Sequence, residues 1–365
     1  MGLVETEELR ELRGALRRFF AEHAPVAGTP AGARLLMGTR DGLDRALWRR
    51  MAGELGLQGL AVPEAHGGSG FGVRELAVVF EEMGRVLYCG PFLATVGLAL
   101  PALQAAGATR LLPGVADGST IATLAWTEDG HWSAPPAMSW EDGVLSGTKT
   151  FVLDGHIAEL VLVAARHGGT TALFAVDGDA PGLTRTPLPT LDQTRKLARL
   201  DFDRVPARLL TGDGDAALAR ARDVAVALLA AEQVGGAERA LEMTVDYVKV
   251  RKQFGRAIGS FQAVKHRCAD MFVRVESARS AMLNAAEAAD TGTPGELAVA
   301  TALAKAFCSD AYFHVAAETI QLHGGIGFTW EHDAHLYFKR AKASQELFGP
   351  PAEHRRRLAG LVGIT

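Results

Sequence analysis

The feature that most constrains this chain is a double change of hydrophobic period. Between residues 5 and 23, Leu9, Leu12, Leu16, Phe19 and Phe20 share one face at helical spacing. LDRALWRRMAGELGL (43–57), VRELAVVFEEMGRVLY (73–88) and LATVGLALPALQAAG (93–107) continue in the same period. A Gly/Pro-rich loop, GLQGLAVPEAHGGSGFG, separates the first two of these. From residue 120 the text turns short and β-rich: TIATLAWTE, GVLSGTKTFVLDG, ELVLVAAR, TTALFAVD and KLARLDFDRVPARLL, punctuated by Gly, Asp and Pro. After TGDGD (211–215) the helical period returns over 216–250, 260–290, 295–322 and 333–347. The expected fold is α+β. It has an N-terminal helical domain (1–117), a middle antiparallel β-barrel or sandwich (118–212) and a C-terminal four-helix bundle (213–365).

Composition narrows the function. A chain of 365 residues, 48% hydrophobic and 22% charged, has material for more than one core. A net charge of −4 argues against nucleic acid, because phosphate contacts need a basic field. The basic run EHRRR (353–357) reads as a solvated helix face near the chain end. Three scattered cysteines without a C-x-x-C fit a reducing compartment. The charged start MGLVETEELRELRG lacks the apolar stretch of a secretory signal, and no apolar run approaches a membrane span. A cytoplasmic location is expected.

One interruption stands out in the last helical block. In VRKQFGRAIGSFQAVKHRCADM (250–271), helical text stops at Arg251 and restarts with Phe261, Val264, Cys268, Met271 and Val275. RKQFGRAIGS therefore reads as a structured turn between two long helices, and on spacing alone a plain helix connection with a buried Phe explains it equally well. HGGIG, inside QLHGGIGFTWEHDAHLYFKRAK (321–342), reads alone as a helix-ending turn. His323 reads as a packed or capping residue. His332, Asp333 and His335 lack the spacing of a metal site, and no metal is expected.

The α–β–α order, these two motifs and LAVPEAHGGSG (60–70) together resemble the acyl-CoA dehydrogenase family of flavoproteins, over essentially the whole chain. The resemblance implies an FAD-dependent oxidoreductase acting on an acyl-CoA thioester, with electron-transfer flavoprotein as acceptor. In that family the turn and the Q-x-x-G-G segment contact the FAD of a neighbouring subunit. Carried over, Arg251 meets the diphosphate, Phe254 stacks on adenine, and Gln253 stands where the family often has a hydroxyl. Gln321, Gly324 and Gly325 line diphosphate and ribose. A guanidinium suits a diphosphate, and glycine permits close main-chain approach. Thr127 is retained from the family's flavin segment, and Phe151 takes the place of a Trp beside the flavin.

The departures follow a pattern. The family's C-terminal catalytic Glu falls on Phe348, the following Thr on Pro350 and a later Gln on Ala352. A second base position, on the helix before the turn, falls on Ala225. Of the nearby carboxylates, Glu232 is two turns further along that face, Asp223 points elsewhere, and Glu346 adjoins the C-terminal position. Glu232 is the candidate base, and a structural Glu paired with an Arg is its alternative. Glu128 follows Thr127 without the family's Gly-Ser-Asp, and Leu153 replaces a flavin-edge Thr. Contacts to the chain's own flavin are thus depleted and contacts to a neighbour's are kept. This resembles the heteromeric acyl-CoA dehydrogenases of sterol-degrading actinobacteria, in which unlike subunits share each flavin. A heterotetramer with a base-bearing paralogue is expected, and a homo-oligomer using Glu232 stays open. So does a repurposed member, either a biosynthetic enzyme or a flavin-binding scaffold, that removes no α-proton.

Overall fold

The structure, a computed structural model, describes residues 6–364. Glu5, the expected first residue of the first helix, lies outside them. The N-terminal helices are α1 (Glu7–His23), α2 (Ala33–Leu36), α3 (Arg45–Gly53), α4 (Val73–Arg85), α5 (Leu100–Ala105) and α6 (Leu112–Ala116). A buried π-helical segment, Leu93–Ala99, leads into α5. The strands are β1 (Ala122–Ala125), β2 (Trp140–Glu141), β3 (Val144–Leu153), β4 (Leu160–His167), β5 (Thr170–Asp177), β6 (Leu183–Leu188), β7 (Leu197–Pro206) and β8 (Arg208–Thr211). Helix α7 (Gly214–Val250) leads to a small hairpin, β9 (Lys252–Gln253) and β10 (Arg256–Ala257). Helices α8 (Gln262–Thr291), α9 (Pro294–His323), α10 (Ala334–Glu346) and α11 (Pro351–Leu361) follow. No helix among the described residues is long and apolar enough to cross a membrane.

Packing divides the described chain into two compact units. One joins the residues up to Gly28, Ala77–Tyr88 and everything from Val226 onward; the other joins Thr29–Leu76 and Cys89–Ala225.

The second of these holds both four-stranded sheets. They form two four-stranded layers, β1-β4-β5-β8 and β2-β3-β7-β6, so the expected barrel is not closed and the sandwich alternative describes it. The expected antiparallel order also needs correcting at β1, which pairs with β4 in parallel. β4 is buried on both faces over Leu160–Ala165, as its unbroken apolar run requires. Both layers contribute to one apolar core, including Leu145, Val161, Val163, Phe174, Leu200 and Phe202. Thr95, in the π segment, hydrogen-bonds the backbone of Ala122 in both directions, tying that helix to β1.

The other unit is helical. The C-terminal bundle has a fifth member, α11, beyond the four expected helices. α9 is apolar nearly all round, with a middle that is buried on most sides, as a central bundle helix must be. α4 and α7 cross at glycine. A Cβ on Gly84 would lie 2.0 Å from the Glu232 carbonyl oxygen, and one on Gly235 would lie 1.8 Å from that of Glu81. Around the crossing, buried Glu81 and Glu82 meet Arg13 of α1 at 2.8 and 3.3 Å, and Arg279 of α8 also reaches Glu81. Arg17 and Arg85 extend the network to Glu82 and, at 2.6 Å each, to Glu238 and Glu242. Burial works against both charges of the last pair. Even so, the partners keep the Glu242 carboxyl below its usual range and the Arg85 guanidinium above its own.

Candidate functional site

The sequence singles out residues in both units, and each group is built separately. In the helical unit α7 ends at Val250, and β9 and β10 form a tight hairpin with Gln253 opposite Arg256. At its tip Phe254 takes φ +52°, a conformation that a bulky L-residue rarely adopts, and it is 90% exposed. Arg256 lies over the Phe261 ring at 4.0 Å, and Phe261 meets Phe254 edge-on at 6.1 Å. Arg251 is exposed and has no ion-pair partner among the described residues.

The Q-x-x-G-G segment sits at the end of α9. Tyr247, one turn before Arg251, stacks on His323 at 4.4 Å, so the two motifs meet through these rings. His323 is buried, and one ring nitrogen lies 2.7 Å from the Thr319 carbonyl. Burial lowers its pKa, so it serves as the packed histidine the sequence suggested. Gln321, Gly324 and Gly325 are exposed, and a Cβ on either glycine would meet nothing within 4 Å. An unpaired guanidinium, a solvent-facing aromatic ring and one bare two-glycine main-chain segment therefore share one end of the bundle. These are suitable partners for the diphosphate and adenine of an FAD held by another chain.

The C-terminal base position is different. α10 ends at Glu346, and the turn to α11 carries Phe348 at φ +62° and only 2% exposed. Three groups fasten this turn. Buried Lys305 donates to the carbonyls of Ser344 and Gln345, both at 2.9 Å, and to Ser309 Oγ at 3.1 Å. Its charge thus caps the negative end of α10. His354 Nε2 lies 2.9 Å from the Phe348 carbonyl; since that oxygen only accepts, the proton sits on Nε2. Burial drives the pKa of His354 down to about 4, so the ring is neutral near pH 7. Gln345 and Arg355 both reach Asp310. The sequence reading did not single out Lys305 or His354. A lysine inside the apolar stretch of α9 was the available signal.

Glu232 is buried beside Arg340 at 2.8 Å, and Arg340 also donates to the Tyr88 carbonyl. This is the arrangement of a structural ion pair, the alternative weighed for this residue. It lies about 28 Å along α7 from Arg251, given 1.5 Å per residue. Ala225 and Asp223 are buried, and Glu346 is exposed and ion-paired with Lys342 at 2.6 Å.

In the sheet unit, the Thr127 carbonyl accepts from Thr150 N at 2.9 Å and its hydroxyl accepts from Gly130 N at 3.1 Å. Glu128 accepts from the backbone of Ala137 and Met138 and from buried Lys149, the last at 2.6 Å. Burial would raise the Glu128 carboxyl, but the Lys149 contact and these N–H groups hold it lower. Phe151, in a bulge of β3 at φ +52°, is 40% exposed and faces Trp132. Leu153 is buried and its carbonyl accepts from Thr123, so it offers the site no side-chain donor. Among the described residues no group of three or more His, Cys, Asp or Glu is placed to hold a metal.

An open two-layer sheet unit and a long-helix bundle are the two parts of a class of flavoprotein dehydrogenases, and comparison shows that the chain belongs to it. Residues 6–119 match the acyl-CoA dehydrogenase N-terminal domain and residues 213–361 the C-terminal domain. The chain belongs to the acyl-CoA dehydrogenase family, whose members are FAD-dependent oxidoreductases acting on CH–CH bonds. Acyl-CoA dehydrogenase IpdE2 of Mycolicibacterium smegmatis is 38% identical over 357 residues, covering 98% of this chain and 99% of its own. A solved Tcur3481-Tcur3483 steroid ACAD G363A variant is 37% identical with a TM-score of 0.88, covering 98% of each chain. The ChsE4-ChsE5 complex from Mycobacterium tuberculosis is 30% identical with a TM-score of 0.89, covering 100% of each.

Proposed function

We propose that this chain is one subunit of a heteromeric acyl-CoA dehydrogenase that converts a saturated acyl thioester to the trans-2-enoyl product at a flavin site shared with an unlike partner. The observation that supports this reading is the contrast between a solvent-facing cluster at one end of the bundle and a closed turn at Phe348. Arg251, Phe254, Gln321, Gly324 and Gly325 stand ready for an external ligand, whereas Phe348 is buried in a fastened turn and accepts no proton. The two-protein steroid ACAD and the ChsE4-ChsE5 complex support it as relatives that are themselves assemblies of two named chains.

FAD, when bound, supplies the hydride acceptor. Arg251 would hold its diphosphate, Phe254 would pack on adenine, and the Gly324–Gly325 main chain would lie open to the phosphates. Thr127 and Phe151 of this chain remain candidates for the flavin edge. The α-proton goes to a carboxylate of the partner. Electron-transfer flavoprotein is the expected acceptor, and a steroid-derived acyl group is a natural candidate substrate given the relative's name.

Glu232 is assigned here to the fold, through Arg340, and not to proton removal. The test is co-expression with base-bearing paralogues, followed by flavin stoichiometry and thioester turnover. Glu232→Gln in the assembled enzyme should lower stability by about 3–5 kcal/mol, because the buried Arg340 charge loses its carboxylate, with turnover per folded enzyme retained. Brisk turnover by the lone chain, abolished by Glu232→Gln with the fold intact, would show a homo-oligomeric enzyme with a relocated base.

A further inference from the structure

Within the helical unit, α1, α4, α7 and α10 leave a cleft between them. Its cavity measures about 410 Å³, which is the size of a small-molecule pocket. Packed helices rarely leave voids much larger than a water molecule, so an opening of this size needs a reason. One side is apolar: Phe20 of α1, Val26 of the segment that follows it, Val86 of α4 and Met243 of α7. Phe20 is buried and leans on Tyr88 at 5.9 Å, so this wall is fixed. The other side carries Arg17, Arg85, Arg239 and Tyr337, with Glu82 and Asp333.

The three arginines differ in what they have left to donate. The two Nη groups of Arg85 are taken by Glu238 and Glu242 at 2.6 Å each. Arg17 gives Nε and Nη2 to the two oxygens of Glu82, at 3.0 and 2.8 Å, and Nη1 has no hydrogen bond among the described residues. Arg239 gives Nη1 to Glu242 at 3.2 Å and also bonds the Tyr337 side chain. The Tyr337 hydroxyl donates to the Arg85 carbonyl, so it accepts from Arg239 and holds that guanidinium against α10. A guanidinium carries more N–H groups than these contacts use. The carboxylates nearby are already shared: Glu82 also meets Arg13, and Glu242 also meets Arg85. Arg17 and Arg239 keep 45% and 41% of their side chains exposed. Two guanidinium groups with unused donors thus flank one cleft, from α1 and from α7.

Charge decides what they can hold. Across the cluster Arg13, Arg17, Arg85, Arg239 and Arg279 nearly cancel Glu81, Glu82, Glu238, Glu242 and Asp333, so no strong positive field fills the cleft. A doubly charged phosphate has nothing to balance it there. A single carboxylate needs only the unused N–H groups, whose planar fork matches its geometry. The apolar wall opposite suits the rest of such a molecule.

We infer that this cleft is a binding site for a monocarboxylate with an apolar body, held by Arg17 and Arg239 at the carboxylate and by Phe20, Val26 and Met243 along the body. Arg239 lies about 18 Å along α7 from Arg251, given 1.5 Å per residue, so the cleft is not the surface at the hairpin. The inference does not depend on how the flavin is held.

The test is calorimetric titration of the full chain with three probes: octanoate, 1-octanol and inorganic phosphate. Octanoate should bind wild type. 1-Octanol should bind at least about tenfold more weakly, for want of charge-assisted hydrogen bonds, and phosphate should not bind. Arg239→Gln should weaken octanoate by about tenfold or more and leave 1-octanol unchanged. Its ion pair with Glu242 is partly exposed, so the melting temperature should move little. Met243→Trp, which fills the apolar side, should weaken octanoate and 1-octanol together. The ranking of the three probes on wild type needs no variant to fold. The inference is overturned if wild type does not bind octanoate at millimolar concentration, or if it binds phosphate or 1-octanol as tightly as octanoate. It is equally overturned if Arg239→Gln and Met243→Trp proteins that melt like wild type hold octanoate as tightly, which would place the probe elsewhere in the chain.

Discussion

Phe254 and Phe348 belong to the same helical unit and both hold left-handed backbone, φ +52° and +62°. One is 90% exposed at a hairpin tip and the other 2% exposed in a turn. Around Phe254 little in the chain absorbs the ring beyond the edge of Phe261. Around Phe348, Lys305 and His354 hold the main chain from two helices. The same residue type in the same unfavourable conformation thus serves opposite ends. At one turn the ring stands open to solvent, and at the other it is buried and its main chain is held. The comparison teaches that a bulky residue in left-handed backbone can be left open at a surface or built into the fold.

The largest effect that could break this contrast is catalytic. The lone chain should dehydrogenate acyl-CoA about 10²–10⁴-fold more slowly than the assembly with a Glu-bearing partner, the usual contribution of a general base. Rapid turnover by the lone chain in a single-turnover assay would mean that a carboxylate of this chain supplies the base despite the closed turn. Next comes stability. Phe348→Ala should lower it by about 3–5 kcal/mol in denaturant unfolding, as for other buried Phe truncations, whereas Phe254→Ala should leave the midpoint unchanged. Equal losses would erase the distinction between the two turns.

Acid should sharpen it further. His354 has a folded pKa of about 4 against an ordinary value of 6.5. Between these values the unfolded chain binds a proton that the folded one does not, so stability falls as pH drops from 6.5 to 4 and is fully present above 6.5. The whole window is worth about 3 kcal/mol at about 1.4 kcal/mol per unit. Melting curves of His354→Gln should lose that part of the pH dependence while the exposed hairpin's flavin contacts remain. A smaller effect is expected at the exposed turn. Arg251→Ala should weaken FAD retention by the assembly by about 1.5–3 kcal/mol, roughly ten- to over a hundredfold, with no change in melting temperature. Unchanged flavin content would remove the hairpin from the site.

The exposed turn was easier to read in the sequence than the buried one. Gly255, Gly259 and two Phe residues inside helical text announce a break, and the apolar periods give the long helices because those faces are buried at that spacing. The parallel pairing of β1 and β4 was not readable, since strand direction is set by which strands meet and not by their alternation. α11 showed in the sequence only as the solvated face EHRRR, not as a member of the bundle, because Pro350, Pro351 and the basic run carry little apolar period. Glu232 looked like an available base because its partner, Arg340, is more than a hundred residues away in sequence. Left-handed backbone at three phenylalanines could not be anticipated, because the residue itself disfavours it.

The glycines record two different obligations. At Gly84 and Gly235 any replacement drives its first carbon to 2.0 and 1.8 Å from main-chain oxygen, which no rotamer change relieves. That crossing is a fixed point for sequence drift: neighbouring surface positions are free to wander, and these two are not. Gly325 has no left-handed φ, and its added carbon would touch nothing. The chain on its own therefore exerts no selection for glycine there. If a library of variants screened only for folding fills position 325 freely, while one screened for flavin retention returns glycine, then the requirement at that position is imposed by the visiting molecule and not by the protein that carries it.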